Sequence, residues 1–343
     1  MSAHAAPVEG ARARRLTERV FRIRELGIVV ALLVLIAVTA VLEPRFIESD
    51  SLRNLALNAS IFAILAAGQT LVIITRNVDL SVGSVLGLSA FLAGDLLSSH
   101  QGMPLILVFV LGIALGAGCG LLNGVLVTWG QVPALVVTLG TLYVFRGLAF
   151  LWTDGQQVNA ETLPDSFLNL GTDSILGVPI LVLIALAVVL GVGQWLRDFR
   201  AGRELYAIGS NPEGARLAGV RSQRRVLTAF VLAGALAGLG GVLFTARFGT
   251  VDATAGTGYE LTVIAAAVVG GVAIFGGTGS VYGAALGALL LGTITSSLIV
   301  LRVEAFWQQA AIGALLLLAI AFDRFVGVRV DAALRRRSAR RAG

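Results

Sequence analysis

No arrangement of side chains in this sequence supports covalent catalysis. The chain has one cysteine, Cys119, inside an apolar run, and two histidines, His4 and His100, far apart; every one of its 26 basic residues is arginine. Hydrolysis needs a nucleophile paired with a base, or a metal. Neither can be assembled here, and a serine–lysine pair is excluded outright. A phosphate-binding loop of the form G-x-x-x-x-G-K-[ST] is excluded for the same reason, because it cannot do without its lysine. The chain is therefore expected to be no enzyme, with no metal site and no cofactor of its own. Cys119 reads as a small buried residue.

What the polar residues offer instead is a route through apolar surroundings. Thr75-Arg76-Asn77-Val78-Asp79-Leu80-Ser81-Val82-Gly83-Ser84 interrupts two apolar runs. Arg76 and Asp79 are spaced to pair. Asn77, Asp79, Ser81 and Ser84 are able to satisfy backbone groups freed where two helices break, or Asp79 and Ser81 simply cap the second helix. Irregular backbone at membrane depth is tolerated only against protein or a water-filled path, so Asn77, Asp79 and Ser81 are candidates for a pathway or its gate. Arg146, in Leu142-Tyr143-Val144-Phe145-Arg146-Gly147, is the charge most embedded in an apolar run. It would either donate to solute hydroxyls or, more in keeping with arginine near lipid, snorkel to the outer surface. Asn123, Gln69 and Thr138 are further polar residues within apolar runs, and such side chains mostly bond between helices.

A second polar stretch, Gly202-Arg203-Glu204-Leu205-Tyr206-Ala207-Ile208-Gly209-Ser210-Asn211-Pro212-Glu213-Gly214-Ala215-Arg216-Leu217-Ala218-Gly219-Val220, has a different character. Asn211 as N-cap with Pro212 in the first position predicts a short helix. Ala215, Leu217, Ala218 and Val220 would form its apolar surface, flanked by Glu213 and Arg216, with Gly209 and Gly219 as stops on either side. A helix so short is unstable alone. It either docks into a groove on a partner or lies on lipid headgroups.

The elements that position these residues follow from composition. Hydrophobic residues make up 57% of the 343 and charged ones 13%, with a mean hydropathy of +0.88 and 42 glycines. A soluble domain carries about 25% charged residues, so this chain faces lipid, and its glycines let helix backbones approach closely there. The expected fold is all-α and polytopic, with about ten transmembrane helices. Runs long enough to span lie roughly at 26–42, 55–75, 82–98, 104–128, 132–152, 175–196, 226–246, 260–276, 280–300 and 305–323. The first reads as a retained signal-anchor helix, since no small-residue cleavage site follows it.

Arginine placement sets the expected orientation. Six arginines precede the first span, seven lie from Arg197 to Arg225 and seven from Arg324 to Arg341, whereas the loop Thr153–Ser174 is acidic. Basic loops stay in the cytoplasm. The division expected is a basic cytoplasmic tail at 1–24, a transmembrane region at 25–325 containing a cytoplasmic region at 197–225, and a basic cytoplasmic tail at 326–343. A net charge of +6 with its arginines beside spans is the mark of membrane topology, and no soluble basic domain is present to bind nucleic acid. Gly83-Ser84-Val85-Leu86-Gly87 recurs as Gly279-Ser280-Val281-Tyr282-Gly283, which fits either a duplicated half or the common look of glycine-rich helix starts.

Asp79-Leu80-Ser81-Val82-Gly83-Ser84, the Gly202–Gly219 stretch and Thr254-Ala255-Gly256-Thr257-Gly258-Tyr259-Glu260-Leu261, in this order, resemble the ribose/xylose-type permeases of ABC sugar importers. Thr75-Arg76-Asn77, Asn123-Gly124-Val125-Leu126-Val127 and Leu139-Gly140-Thr141-Leu142 are similar to the rhamnose and autoinducer-2 branch. The resemblance covers nearly the whole chain. It implies a permease subunit in the bacterial cytoplasmic membrane, usually paired with a second, different permease chain, though a homodimer is the other arrangement. Its partners would be a cytoplasmic ABC ATPase, which holds ATP and magnesium, and an extracytoplasmic sugar-binding protein. By position, Gly202, Arg203, Tyr206, Gly209, Asn211, Pro212, Glu213, Ala215, Arg216, Leu217 and Gly219 would form the region coupled to the ATPase. The Asp79 segment and the segment containing Gly258 and Glu260 would lie near the pathway, with Asn123 and Arg146 as further candidates. Rhamnose is the first solute expected, then autoinducer-2, then ribose or another pentose. An ion-coupled secondary transporter is the competing class, but apart from Arg146 the charges near spans, such as Asp79, Asp95, Glu260, Glu304 and Asp323, sit by their ends.

Overall fold

The computed structural model describes residues 26–100 and 102–304, together with Trp307, residues 309–314 and residues 317–318. The basic tails expected at 1–24 and 326–343 lie outside the described residues, as does most of the span expected at 305–323.

Helices α1 (Leu26–Leu42), α2 (Ser49–Ile74), α3 (Val82–Ser99), α4 (Leu105–Thr128) and α5 (Ala134–Thr153) come first. A short helix α6 (Asp165–Thr172) and a minimal hairpin, Ser174–Ile175 against Val178–Pro179, separate them from α7 (Ile180–Asp198). Then follow α8 (Arg200–Ser210), α9 (Pro212–Leu217), α10 (Ser222–Phe248), α11 (Tyr259–Val269) and α12 (Val281–Val300). Pro104, Pro133, Pro164 and Pro179 each stand immediately before a helix, where a missing N–H breaks no helical bond.

Among the described residues seven helices, α2, α3, α4, α5, α7, α10 and α12, are long and apolar enough to cross a membrane; α1 and α11 are shorter apolar helices. The chain is an all-α, multi-pass membrane protein. Two expectations change. The span expected at 260–276 is only the 11-residue α11. The span expected from 175 starts at Ile180, because the hairpin takes up the residues before it. The acidic loop is not wholly irregular, since α6 lies inside it and buries Phe167.

α2, α3 and α10 sit at the centre, and α4, α5 and α7 turn large apolar side chains such as Ile106, Val136 and Leu186 outward. In water such a surface would be an aggregation hazard; against lipid it is the solvated face. The tightest crossing is between α4 and α10. Gly112, Gly116 and Gly120 on α4 face Gly234 and Gly238 on α10, and a Cβ at Gly116 would overlap the Gly234 carbonyl. Small residues four apart on both helices bring the backbones into contact, which substitutes for a hydrophobic driving force that lipid cannot supply. The Thr245 hydroxyl donates to the Ala90 carbonyl (2.8 Å), tying α10 to α3.

The two glycine-rich stretches of the apparent repeat sit differently in their helices. Gly83–Gly87 lies within the first turns of α3, whereas Gly279 precedes α12 and the Ser280 hydroxyl caps it by accepting from the Gly283 N–H (3.0 Å).

Candidate functional site

Polar and irregular backbone concentrates in three places, all touching α3 or the helix that precedes it. The first is the break between α2 and α3. Asp79 is buried, and its Oδ1 accepts from the backbone N–H (2.8 Å) and hydroxyl (2.7 Å) of Ser81. The Ser81 hydroxyl in turn accepts from the Asn123 amide on α4 (2.8 Å). From α5, Thr138 donates to the Val78 carbonyl (3.1 Å), and Ser84 on α3 donates to the α5 carbonyl of Leu142 (2.9 Å). Asn77 folds back onto Thr75. A break with this many interhelical bonds is a built feature, because each freed backbone group would otherwise be unsatisfied in an apolar setting.

Arg76 does not pair with Asp79. It adopts a left-handed backbone (φ 67°), and its guanidinium donates to the carbonyls of Gly209 (2.5 Å) and Ser210 (2.9 Å) at the end of α8. An arginine meeting the orphan carbonyls at a helix C-terminus satisfies both the hydrogen bonds and the helix dipole.

The second place is the descent from α10 to α11. Val251 pairs with Val158 beside Gly94 of α3, Ala255 passes Gly87, and Gly256 and Glu260 lie against Gly83. From Gly94 to Gly83 the chain travels about 16 Å along α3 with no regular structure. Gly256 (φ 73°) and Gly258 (φ 83°) provide turns that other residues resist. A Cβ at Gly83 or Gly87 would strike this segment. Arg146 is half-buried and donates to the carbonyls of Ala253 (2.6 Å) and Ala255 (2.7 Å). Its Nη1 is therefore turned to the bundle rather than snorkelling outward, and it pins the descending strand. α11 thus starts part-way down the bundle. Discontinuous helices of this kind are where transporters place their solute path.

The third place is the α8–α9 end. Asn211 caps α9, its Oδ1 accepting from the Gly214 N–H (2.9 Å), with Pro212 in the first position. Gly219 (φ 78°) ends the turn that follows. Ala215 is buried against Ile208, Val226 and Phe230, with Val220 alongside, while Leu217 is 79% exposed and points away. The apolar residues of α9 therefore do not share one face, as expected from sequence; they divide between the bundle and the outside. Glu213 and Arg216 pair on the surface (2.6 Å).

Gly209 is not a stop. It lies inside α8, where the absence of a side chain lets the helix touch the Ile74 carbonyl and the Gly277 backbone. The Gly277 N–H donates to the Ile74 carbonyl (2.9 Å), the Ser210 hydroxyl to the Gly277 carbonyl (3.3 Å) and the Tyr206 hydroxyl to the Gly279 carbonyl (2.9 Å). Burial pushes the Tyr206 phenol up to about 12, so it remains a donor. Gly202 packs against Leu196, and Arg203 donates to the Asp198 carbonyl (2.6 Å). Glu204 joins α8 to the start of α10 through Arg225 (2.5 Å) while also bonding Arg200 (2.7 Å), and these two arginines hold its carboxyl below the usual range.

Residues 51–320 match a family described as the permease component of branched-chain amino acid transport systems. The chain belongs to this permease family. It is 38% identical over 313 residues, 91% of this chain and 90% of the other, to the autoinducer 2 import system permease protein LsrC of Escherichia coli O157:H7. The LsrC permeases of Photorhabdus luminescens (38% over 88% of this chain and 89% of that one) and Salmonella choleraesuis (37% over 91% and 89%) are similar relatives. No solved structure matches it. The permease is thus the membrane subunit of an ABC importer of the ribose/xylose type, on the rhamnose and autoinducer-2 branch.

Of the pathway candidates, Asp79, Ser81 and Asn123 form one network with Asn77 at its edge, and Arg146, Gly258 and Glu260 belong to the descent. The two groups flank the first turns of α3. The coupling candidates from Gly202 to Gly219 form one α8–α9 unit. Sequence reasoning missed the half-buried side chains Asn58, Phe62, Phe244, Arg247 and Tyr259, although Asn54, Asn58 and Phe62 repeat every four residues along α2.

Proposed function

We propose that the permease carries a monosaccharide-sized, hydroxyl-bearing solute inward across the bacterial cytoplasmic membrane by alternating access, driven by ATP hydrolysis on a separate ATPase. The α8–α9 end faces the cytoplasm and so do both termini; this agrees with seven arginines between residues 197 and 225. Near-full-length similarity to autoinducer-2 permeases favours autoinducer-2 as the solute, with rhamnose next. A binding protein delivers the solute from outside, and a second, different permease chain completes the transmembrane pathway. ATP and magnesium are held by the ATPase, since this chain has no lysine for a phosphate loop.

The observation that carries the coupling assignment is the position of α9. It is anchored by Ala215 and presents Leu217 outward between Glu213 and Arg216. Behind it, α8 bonds to the α2–α3 break through Arg76 and to the segment between α11 and α12 through Gly277. A push on α9 would reach both of these through α8, without covalent chemistry on this chain. Glu213→Arg combined with Leu217→Asp is expected to abolish uptake by the assembled importer while membrane insertion stays normal. Native uptake by that double variant would remove the assignment.

A further inference from the structure

We infer that a stripe of α2, facing α10 and the start of α11, is the solute-contacting surface of this permease, built for a neutral polyhydroxylated molecule with one C–H face. The inference rests on the importer reading. Its starting observation is an asymmetry in how α2 treats its polar groups. The Ser60 and Thr70 hydroxyls bond back to their own helix, at the carbonyls of Ala56 and Ala66 (both 2.7 Å). The Asn58 Oδ1 and both amide atoms of Gln69 are buried with no partner, and Gln69 is 1% exposed. Thr138 and the Asn123 Nδ2, noted beside Gln69 in the sequence, do find interhelical partners, while the Asn123 Oδ1 has none.

These amides share a direction. Phe62 and Gln69 are seven residues apart, about 20° around the helix, and Asn58 lies one turn before Phe62. Phe62 meets the Tyr259 ring of α11 at 4.6 Å between centroids. Phe244 of α10 approaches Tyr259 at 6.1 Å. At the same face Arg247 donates to Asn54 (2.5 Å) and keeps a buried Nε without a partner. Rings that are half-buried, a guanidinium with a spare donor and the Asn58 amide with a spare acceptor therefore gather where α11 begins, and Gln69 continues the same face of α2 about 10 Å further along.

That combination matches one ligand chemistry. Aromatic faces take the C–H side of a sugar-like ring, while amide and guanidinium groups exchange hydrogen bonds with its hydroxyls. Buried polar atoms without partners call for an explanation, and a passing solute supplies the missing partners only transiently. Lipid could not: it has no hydrogen-bonding group to offer within the apolar region.

The test uses the complete importer, with its ATPase and binding protein, in proteoliposomes. Uptake of labelled autoinducer-2 and labelled L-rhamnose is measured together with ATP hydrolysis in the same vesicles. For Asn58→Leu and Gln69→Leu the solute accumulated per ATP hydrolysed should fall on the order of 10-fold, the effect of leaving a hydrogen-bonding ligand unpaired in a dry site. Leu186→Ala, on the outward face of α7, should retain the native ratio. An unchanged ratio in the leucine variants, including a parallel fall of uptake and hydrolysis, would overturn the inference. Should a leucine variant fail to assemble, Asn58→Cys in a Cys119→Ala background decides: an impermeant thiol reagent should label it, and solute-loaded binding protein should slow that labelling. No labelling, or no protection, would overturn it equally. Failure of the native complex to accumulate either solute would instead count against the importer reading itself.

Discussion

Asp79, Arg76 and Arg146 show how charges behave when apolar surroundings leave them few partners. Each is taken up by backbone or by a near neighbour rather than by an opposite charge: Asp79 by Ser81, Arg76 by the end of α8, Arg146 by the strand that descends to α11. Glu204 is the exception, because it lies at the α8–α9 end and gathers two arginines. Its lowered proton affinity means that folding is favoured by the ionised form; the contribution is complete above the usual carboxylate range and disappears as pH falls through the lowered value. The melting temperature of the native permease minus that of Glu204→Gln, in detergent, should therefore be full at pH 6–7. Below about pH 4 the difference should shrink. A difference independent of pH would show that the carboxylate's charge is not what joins α8 to α10.

At the scale of elements, glycine determines which helices touch. The α4–α10 crossing depends on Gly112, Gly116, Gly120, Gly234 and Gly238, with backbones too close to admit side chains. Gly116→Leu should destabilise the folded permease by roughly 1–3 kcal/mol or force the helices apart, read as a lower melting temperature in detergent, whereas Gly118→Leu, which meets nothing within 4 Å, should be near neutral. Equal effects would mean that the crossing is not the tight contact seen here. The same economy explains the two breaks. Gly83 and Gly87 give room for the descent past α3, and Gly209 gives room for α8 to wedge against Ile74 and Gly277.

At the scale of the whole molecule, α8 links the α2–α3 break to the segment before α12, so one surface helix touches two irregular regions of the bundle. The permease reconstituted alone should neither hydrolyse ATP nor accumulate solute, and should do so once the ATPase and binding protein are added; pumping by the solitary chain would end the importer reading. How much of this was legible beforehand follows from the range of the forces involved. Composition and apolar run length determine the solvent a chain must face, so the multi-pass all-α fold, the spans near α2 to α5 and the Asn211–Pro212 helix start were readable as local properties. The absence of lysine alone removed a phosphate loop. Gly209 looked like a stop and Arg146 like a snorkelling residue because their partners lie far away in sequence, at Ile74, Gly277, Ala253 and Ala255. The half-length of α11 is likewise a tertiary outcome: residues 270–276 are apolar or glycine enough to continue a span, and close packing of Gly270 on Gly283 turns the chain instead. Only the folded bundle decides which amides find partners, since Asn123 and Gln69 look alike as intramembrane amides, and a hydrogen bond between helices exists only once the helices are placed.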